Sequence, residues 1–327
     1  MPETFDSNSA IDLVIPFRNE AEYLPGLFQA IEELESSPDD RYFFVDDDSN
    51  DNSHLFVKEN AFIRLIRLNN QQSKGKKDAL FAGIQAGTNP FILTSDADCR
   101  PGKKWLHAMR APVNSDTRML IGPVLMQNSP GFLAWLQGTE SVVLLWVSRF
   151  TVRNGFPMLC SGANLLFSRT EFYAVGAYRE HQHRSSGDDV LLLSSFLKKG
   201  IKGIAFVDSP EACVISYPVK GWEMWFSQRL RWIGKTGHIR APSQMAFSLI
   251  LLLQLFLPWL ILPVFWPLAV LIPFLEYPIF LKTAFRYRRN FFIGDWFFFR
   301  YLYPIAVLAL LPAGFLIRKT WKERPLR

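Results

Sequence analysis

Two acidic words, each following a short apolar run, constrain the fold of this chain most. Tyr42-Phe43-Phe44-Val45 leads into Asp46-Asp47-Asp48-Ser49, and Phe91-Ile92-Leu93 is followed by Asp96-Ala97-Asp98. Short apolar runs bounded by turn-forming residues read as buried strands. Acids that close such strands lie at the carboxyl ends of a sheet, where open α/β sheets hold their ligands. Carboxylates crowded there repel one another, so a cation or a hydrogen-bond donor has to relieve the repulsion.

The surrounding pattern alternates strand and helix. Strands are expected over 11–16, 42–45, 63–68 and 91–94, the third half exposed because its apolar residues alternate with arginines. Helices are expected over 20–34, 51–59 and 76–86. Repeated βα units of this kind build a parallel sheet with right-handed crossovers. A helix around Trp105 precedes a strand over 119–124. Residues 131–150 form an apolar, aromatic helix with Glu140 inside it, either core or interfacial. The chain returns to the sheet over 159–167, then gives a helix over 188–198, a short strand over 204–207 and an aromatic helix over 222–233.

Of the 327 residues, 49% are hydrophobic, with 29 Phe and 10 Trp, more than a soluble core requires. The excess lies beyond Met245. Residues 245–281 carry one acid, Glu276, and suffice for one tilted span or two short ones joined near Pro263 and Pro267. Lys282, Arg286, Arg288 and Arg289 follow, then an apolar stretch over 291–317 interrupted by Asp295 and Arg300, then a basic tail. Three crossings would put that tail outside and two would put the arginine cluster outside, both against the positive-inside tendency. A re-entrant or interfacial segment resolves the conflict, and a cytosolic tail is expected. The polar stretch from Met1 to Ala10 has no signal-peptide core, so residues 1–240 are expected in the cytosol. The net charge of +6 suits an anionic membrane surface. No basic-aromatic motif points to nucleic acid. The three cysteines have no metal-binding spacing and read as reduced thiols.

Six words can carry chemistry, each with a plain structural alternative. Val14-Ile15-Pro16-Phe17-Arg18-Asn19-Glu20 leaves a strand for a helix start, which favours anions, or is an Asn19 cap. Asp46-Asp47-Asp48-Ser49 can accept the imide N–H of a uracil ring, or is a capped turn. Lys74-Gly75-Lys76-Lys77 puts cations where the helix dipole opposes them, which asks for an anion such as a diphosphate, or is a solvated basic turn. In an extended chain Asp96 and Asp98 share one side and can hold Mg²⁺ or Mn²⁺, although a lone D-x-D is common. Gly187-Asp188-Asp189 opens a helix, where an Asp is either a cap or a general base. Gln228-Arg229-Leu230-Arg231-Trp232 places Gln228 and Arg231 on one face, for a diphosphate and a sugar or for a lipid interface.

Taken in order, these words resemble glycosyltransferase family 2, in the membrane-bound branch with D, D-x-D, E/D-D and Q-x-x-R-W motifs. That branch includes cellulose- and hyaluronan-synthase-like enzymes and ceramide glucosyltransferases. The resemblance covers roughly residues 11–240. It implies a nucleotide-diphospho-sugar transferase fold of A type, with a Rossmann-like, mostly parallel sheet, followed by a helical membrane region. The expected division is 1–240 for catalysis and 241–327 for two or three apolar helices and the tail. By position, Asp46 and Asp47 would hold the base and Lys76 would lie near the diphosphate. Asp96 and Asp98 would hold Mg²⁺ or Mn²⁺, with Asp96 also touching the nucleotide sugar. Asp189 would be the catalytic base and Arg231 would assist departure of the diphosphate. Asp188, Gln228 and Trp232 would face acceptor or diphosphate. Cys160-Ser161-Gly162-Ala163-Asn164 is similar to the family's acceptor-side strand. Asp48 stands where glycine is common, and Asp188 where Glu is usual.

The implied activity is inverting transfer from a nucleotide sugar, UDP-linked in the first instance, to a lipid, lipid-linked or glycan acceptor. The membrane is the implied partner and its cytoplasmic face the location. Two rivals stand beside it: a catalytically silent nucleotide-sugar-binding partner of a synthase, and a metal-dependent nucleotidyltransferase.

Overall fold

The computed structural model describes residues 6, 8–69, 75–176, 188–233, 242–316, 320–321 and 324–325. The chain divides into two compact units. One comprises Met1–Val124, Cys160–Tyr217 and Thr320–Arg327, the other Leu125–Leu159 and Pro218–Lys319.

The strands in chain order are β1 (Ile11–Phe17), β2 (Arg41–Asp47), β3 (Ile63–Leu68), β4 (Phe91–Thr94) and β5 (Cys99–Pro101). After them come β6 (Met119–Ile121), β7 (Val124–Met126), β8 (Leu165–Ser168), β9 (Ile204–Phe206) and β10 (Val214–Ser216). Helices of the first unit are α1 (Leu24–Glu32), α2 (Lys76–Ala86) and α3 (Trp105–Arg110).

Among the described residues of the first unit, a seven-stranded sheet runs β3-β2-β1-β4-β8-β6-β9. The first four strands are mutually parallel. β8 is reversed against both neighbours, and β9 is parallel to β6. All seven residues of β1 are buried, whereas β3, at the edge, is half exposed as its arginines predict. Leu13, Ile15, Phe17, Leu24, Phe44 and Trp105 belong to one apolar core. At the amino-terminal edge of the sheet, Arg169 pairs with Asp12 at 2.6 Å and Arg110 with Asp40 at 2.5 Å. Those acids pin the scaffold. β5 pairs antiparallel with β10.

Several expected elements are shorter. The helix foreseen over 20–34 is α1 alone. Asn19 is left-handed at φ 51° and caps nothing, while the N–H groups of Glu20 and Ala21 go to Ser53 Oγ and Asp51 Oδ2. The helix foreseen over 51–59 is a single 3₁₀ turn, Ser53–Phe56, because Asn52 is left-handed at φ 62°. The strand foreseen over 119–124 breaks after Ile121, and the one over 159–167 begins only at Leu165.

The second unit is helical: α4 (Phe132–Arg153), α7 (Trp222–Ile233), α8 (Pro242–Ile261), α9 (Trp266–Arg286) and α10 (Ile293–Leu316), while α5 (Arg169–Val175) and α6 (Asp188–Lys198) belong to the first. Gln244–Ile261, Trp266–Arg286 and Ile293–Leu310 are each long and apolar enough to cross a membrane. The stretch 245–281 is therefore two helices. The charges of Glu276 and Arg300 are matched: Arg300 donates to Glu276 at 2.5 Å and to the carbonyls of Gln254 and Leu255, and Gln254 also donates to Glu276. Ionisable groups on such apolar helices persist only when paired in this way.

Candidate active site

The sheet's register brings the acidic words to one edge. Asp46 lies opposite Phe17 on β1 and Arg67 on β3. Thr94, two residues before Asp96, lies opposite Val14. Because β8 is reversed, Leu165 also lies opposite Thr94, so the entry loop 160–164 reaches that same edge. Between β1 and β4 the order of strands reverses direction, the position where sheets of this type take ligands.

The turns after β1 and β2 are laced together. Arg18 Nη1 donates to the carbonyls of Asp47 and Asp48, each at 2.5 Å, and lies 3.6 Å from the Asp48 carboxylate. Asn19 N–H donates to Ser49 Oγ and Asn50 N–H to Asn19 Oδ1. Asp48 is left-handed at φ 60°, which explains a preference for glycine there. Asp46, 1% exposed, accepts from Ser49 N–H at 2.9 Å and lies 3.6 Å from Arg67 Nε and 3.9 Å from His54. Asp47 is fully buried. Arg18, His54 and Arg67 complete this part of the site and were not foreseen. Arg18 lay within a recognised word, whereas Arg67 was hidden in the alternation of β3.

Lys76 opens α2, and its ammonium pairs with Asp96. The anion that a cation at a helix start requires is thus within the chain itself. Gly75 precedes it at φ 146°, a backbone that side-chain-bearing residues rarely adopt. Lys74 lies outside the described residues. Asp96-Ala97-Asp98 is a turn, closed by Cys99 N–H donating to the Asp96 carbonyl, and not the extended chain expected. The chain must bend there to pass from β4 into β5, so alternation does not set the direction of the two carboxylates. Burial, then the charges of Asp98 and Asp96, pushes the Cys99 thiol well above its ordinary range. Among the described residues no group of three or more His, Cys, Asp or Glu is placed to hold a metal. Two carboxylates fit a hard cation whose remaining ligands are diphosphate oxygens and water.

Asp189 is the second residue of α6. Its carboxylate accepts from Gly162 N–H at 3.1 Å and from Val190 N–H at 2.8 Å. The Gly162 carbonyl in turn accepts from Thr94 Oγ1 at 2.7 Å. One residue, Gly162, therefore joins the end of β4, which delivers Asp96, to Asp189. Asn164 braces the loop by donating to the carbonyls of Pro123 and Ala212 and accepting from Trp105 Nε1. Asp188 opens α6, and its side chain and Gly187 lie outside the description.

In the second unit, α7 carries Gln228, Arg231 and Trp232. Arg231 donates to Ser227 at 3.3 Å, and burial, then the charge of Arg229, holds it below the usual guanidinium range. Gln228 Oε1 accepts from Arg229, whose guanidinium lies 4.8 Å from the Trp232 ring centroid. Arg229 went unremarked in the sequence, where it reads as a spacer.

A mostly parallel sheet with acids at its switch point, followed by helices apolar enough to span a membrane, defines an α/β fold of the A-type glycosyltransferase class. Residues 12–174 match the model of Glycosyl transferase family 2. Among solved structures, the mannosyltransferase PcManGT from Pyrobaculum calidifontis, in complex with GDP-Man and Mn2+, is similar at a TM-score of 0.55 and 16% identity. The match covers 94% of this chain and 88% of that one. Glucosyl-3-phosphoglycerate synthase from Mycobacterium tuberculosis, in complex with Mn2+, uridine-diphosphate and phosphoglyceric acid, aligns over 72% of this chain and 80% of its own. At 16% identity and a TM-score of 0.48, that likeness carries no argument. No curated protein matches the chain.

Proposed function

We propose that this chain is an inverting glycosyltransferase of the membrane-bound, D-x-D and Q-x-x-R-W branch. It moves a sugar from a nucleotide sugar, UDP-linked in the first instance, to a lipid, lipid-linked or glycan acceptor. The observation that carries this reading is Gly162, whose N–H donates to Asp189 and whose carbonyl accepts from Thr94 on the strand that delivers Asp96. It couples a candidate base to a candidate diphosphate site at one sheet edge.

Asp189 takes the proton of the acceptor hydroxyl as that oxygen attacks the anomeric carbon. Asp46 and Asp47 serve the base of the nucleotide, and Lys76, now on Asp96, turns to the diphosphate. Asp96 and Asp98 would hold Mg²⁺ or Mn²⁺, which supplies charge neutralisation to the leaving group when bound. Arg231 assists that departure, and Asp188, Gln228 and Trp232 face acceptor or diphosphate. The complex of PcManGT with GDP-Man and Mn2+ supports the same two classes of ligand here. By role we assign 1–240 to catalysis on the cytoplasmic face and 241–327 to the membrane. This division cuts across the compact units, since α4 and α7 fold with the apolar helices.

A panel of UDP- and GDP-sugars in lipid extract, with and without Mn²⁺, tests the proposal. Release of nucleoside diphosphate with a new glycoside is expected. Released sugar 1-phosphate would indicate a nucleotidyltransferase, and neither product would indicate a silent partner; both overturn the reading.

A further inference from the structure

Glu140 was an unexplained acid in an apolar helix, and its surroundings give it a task. Gln137 and Glu140 lie three residues apart on α4, hence on one face, and are 1% and 3% exposed. Buried polar groups are tolerated only when hydrogen-bonded. Both are satisfied by the segment that builds α7. Gln137 donates to the Val219 carbonyl at 3.1 Å and accepts from Val219 N–H at 3.0 Å, just before the helix begins. Glu140 accepts from Arg229 Nε at 3.3 Å and forms an ion pair with Arg229 Nη2, near the far end of that helix. Tyr303, from α10, donates to the same carboxylate at 2.5 Å.

Arg229 passes this constraint on. Its third nitrogen donates to Gln228 Oε1, and its plane lies over the rings of Trp225 and Trp232, 4.7 and 4.8 Å from their centroids. It thus touches two of the residues to which the proposed function gives acceptor or diphosphate contacts. A buried ion pair adds little net stability over apolar packing, whereas it fixes direction closely.

We propose that Glu140 is a positioning residue for glycosyl transfer: acting through Arg229, it fixes the pose of Gln228 and Trp232 and links it to α10. The inference rests on the glycosyltransferase reading above. Its test is a double-mutant cycle of Glu140→Gln, Arg229→Lys and the pair, read as kcat and donor KM for UDP release in the full-length protein. Misplacing a contact by about 1 Å can lower turnover about 10²-fold. Each single variant should lose kcat on that scale while donor KM moves by less than about twofold, since uniform binding is untouched. The pair should be no slower than Arg229→Lys alone. Arg229→Lys keeps the charge and reads the same prediction if Glu140→Gln fails to fold. Losses that multiply, or kcat within about twofold of wild type, overturn the proposal. A wild-type protein that releases no nucleotide from any donor sinks the glycosyltransferase reading and this inference with it. An active wild type with an equally fast Glu140→Gln sinks only the inference.

Discussion

Asp96→Asn separates the ion pair that Asp96 makes from the metal-binding role proposed for it. In the structure Asp96 is an ion-pair partner, with its side chain 32% and that of Lys76 27% exposed. Partly exposed pairs of this kind contribute about 0.2–1 kcal/mol. Removing the charge should therefore lower the melting temperature by no more than about 2–4 °C for a domain of this size. Activity should respond on another scale. Metal-assisted neutralisation of a departing diphosphate is worth several kcal/mol, and each 1.36 kcal/mol is tenfold in rate, so turnover should fall about 10²–10³-fold or more. UDP release would be measured against Mn²⁺ concentration, with thermal unfolding of the same samples in parallel. Turnover within about tenfold of wild type at unchanged Mn²⁺ dependence would refute the metal assignment. A melting temperature lowered by much more than about 4 °C would show that Asp96 is chiefly structural.

Arg18→Met removes a cation that holds the Asp47 and Asp48 carbonyls, and charged hydrogen bonds contribute about 1.5–3 kcal/mol. Urea unfolding should show a loss of about that size together with weaker UDP binding; unchanged stability would mean the two turns do not depend on it. Burial alone would raise the carboxyl of Asp51, but hydrogen bonds from Ser53 Oγ and from the N–H groups of Ala21 and Ser53 outweigh it and hold it below its ordinary value. Its ionised form thus stabilises the fold above about pH 3.9, and that contribution is lost as pH falls through and below this range. Wild type should lose more stability than Asp51→Asn between about pH 5 and pH 3, and parallel curves would contradict the lacing of these turns. Arg300→Met leaves Glu276 without its cation, which should cost about 3–5 kcal/mol, and adding Glu276→Gln should recover part of it in detergent unfolding. A double variant no more stable than the single one would show that the pair carries no such coupling.

The parallel half of the sheet was legible because burial and period agree there. Phe91–Thr94 and Trp222–Ile233 were read to the residue, since an apolar run and an aromatic 3.6-residue pattern leave little freedom. The switch-point edge followed from acids placed after buried strands. What escaped was set by partners distant in sequence. Asn19 and Asp51 shorten their helices by binding each other's turns, some thirty residues away, and no local propensity encodes that. The reversal of β8 depends on which strand it pairs with, not on its composition. Arg229 and Glu140 lie 89 residues apart, and an arginine between two motif positions looks like any solvated helix residue until its partner is known.

The central claim is that Asp189 is the base of a sugar transfer whose donor is held elsewhere along the same sheet edge. Asp189→Asn tests it most directly, with UDP binding in the presence of Mn²⁺ measured beside glycoside formation. Asparagine keeps an oxygen for the Gly162 N–H but cannot take a proton at neutral pH. The account predicts UDP affinity unchanged within about twofold and transfer reduced about 10²–10⁴-fold, the usual contribution of a general base. Transfer at a near-normal rate, or a parallel collapse of UDP binding, would contradict it.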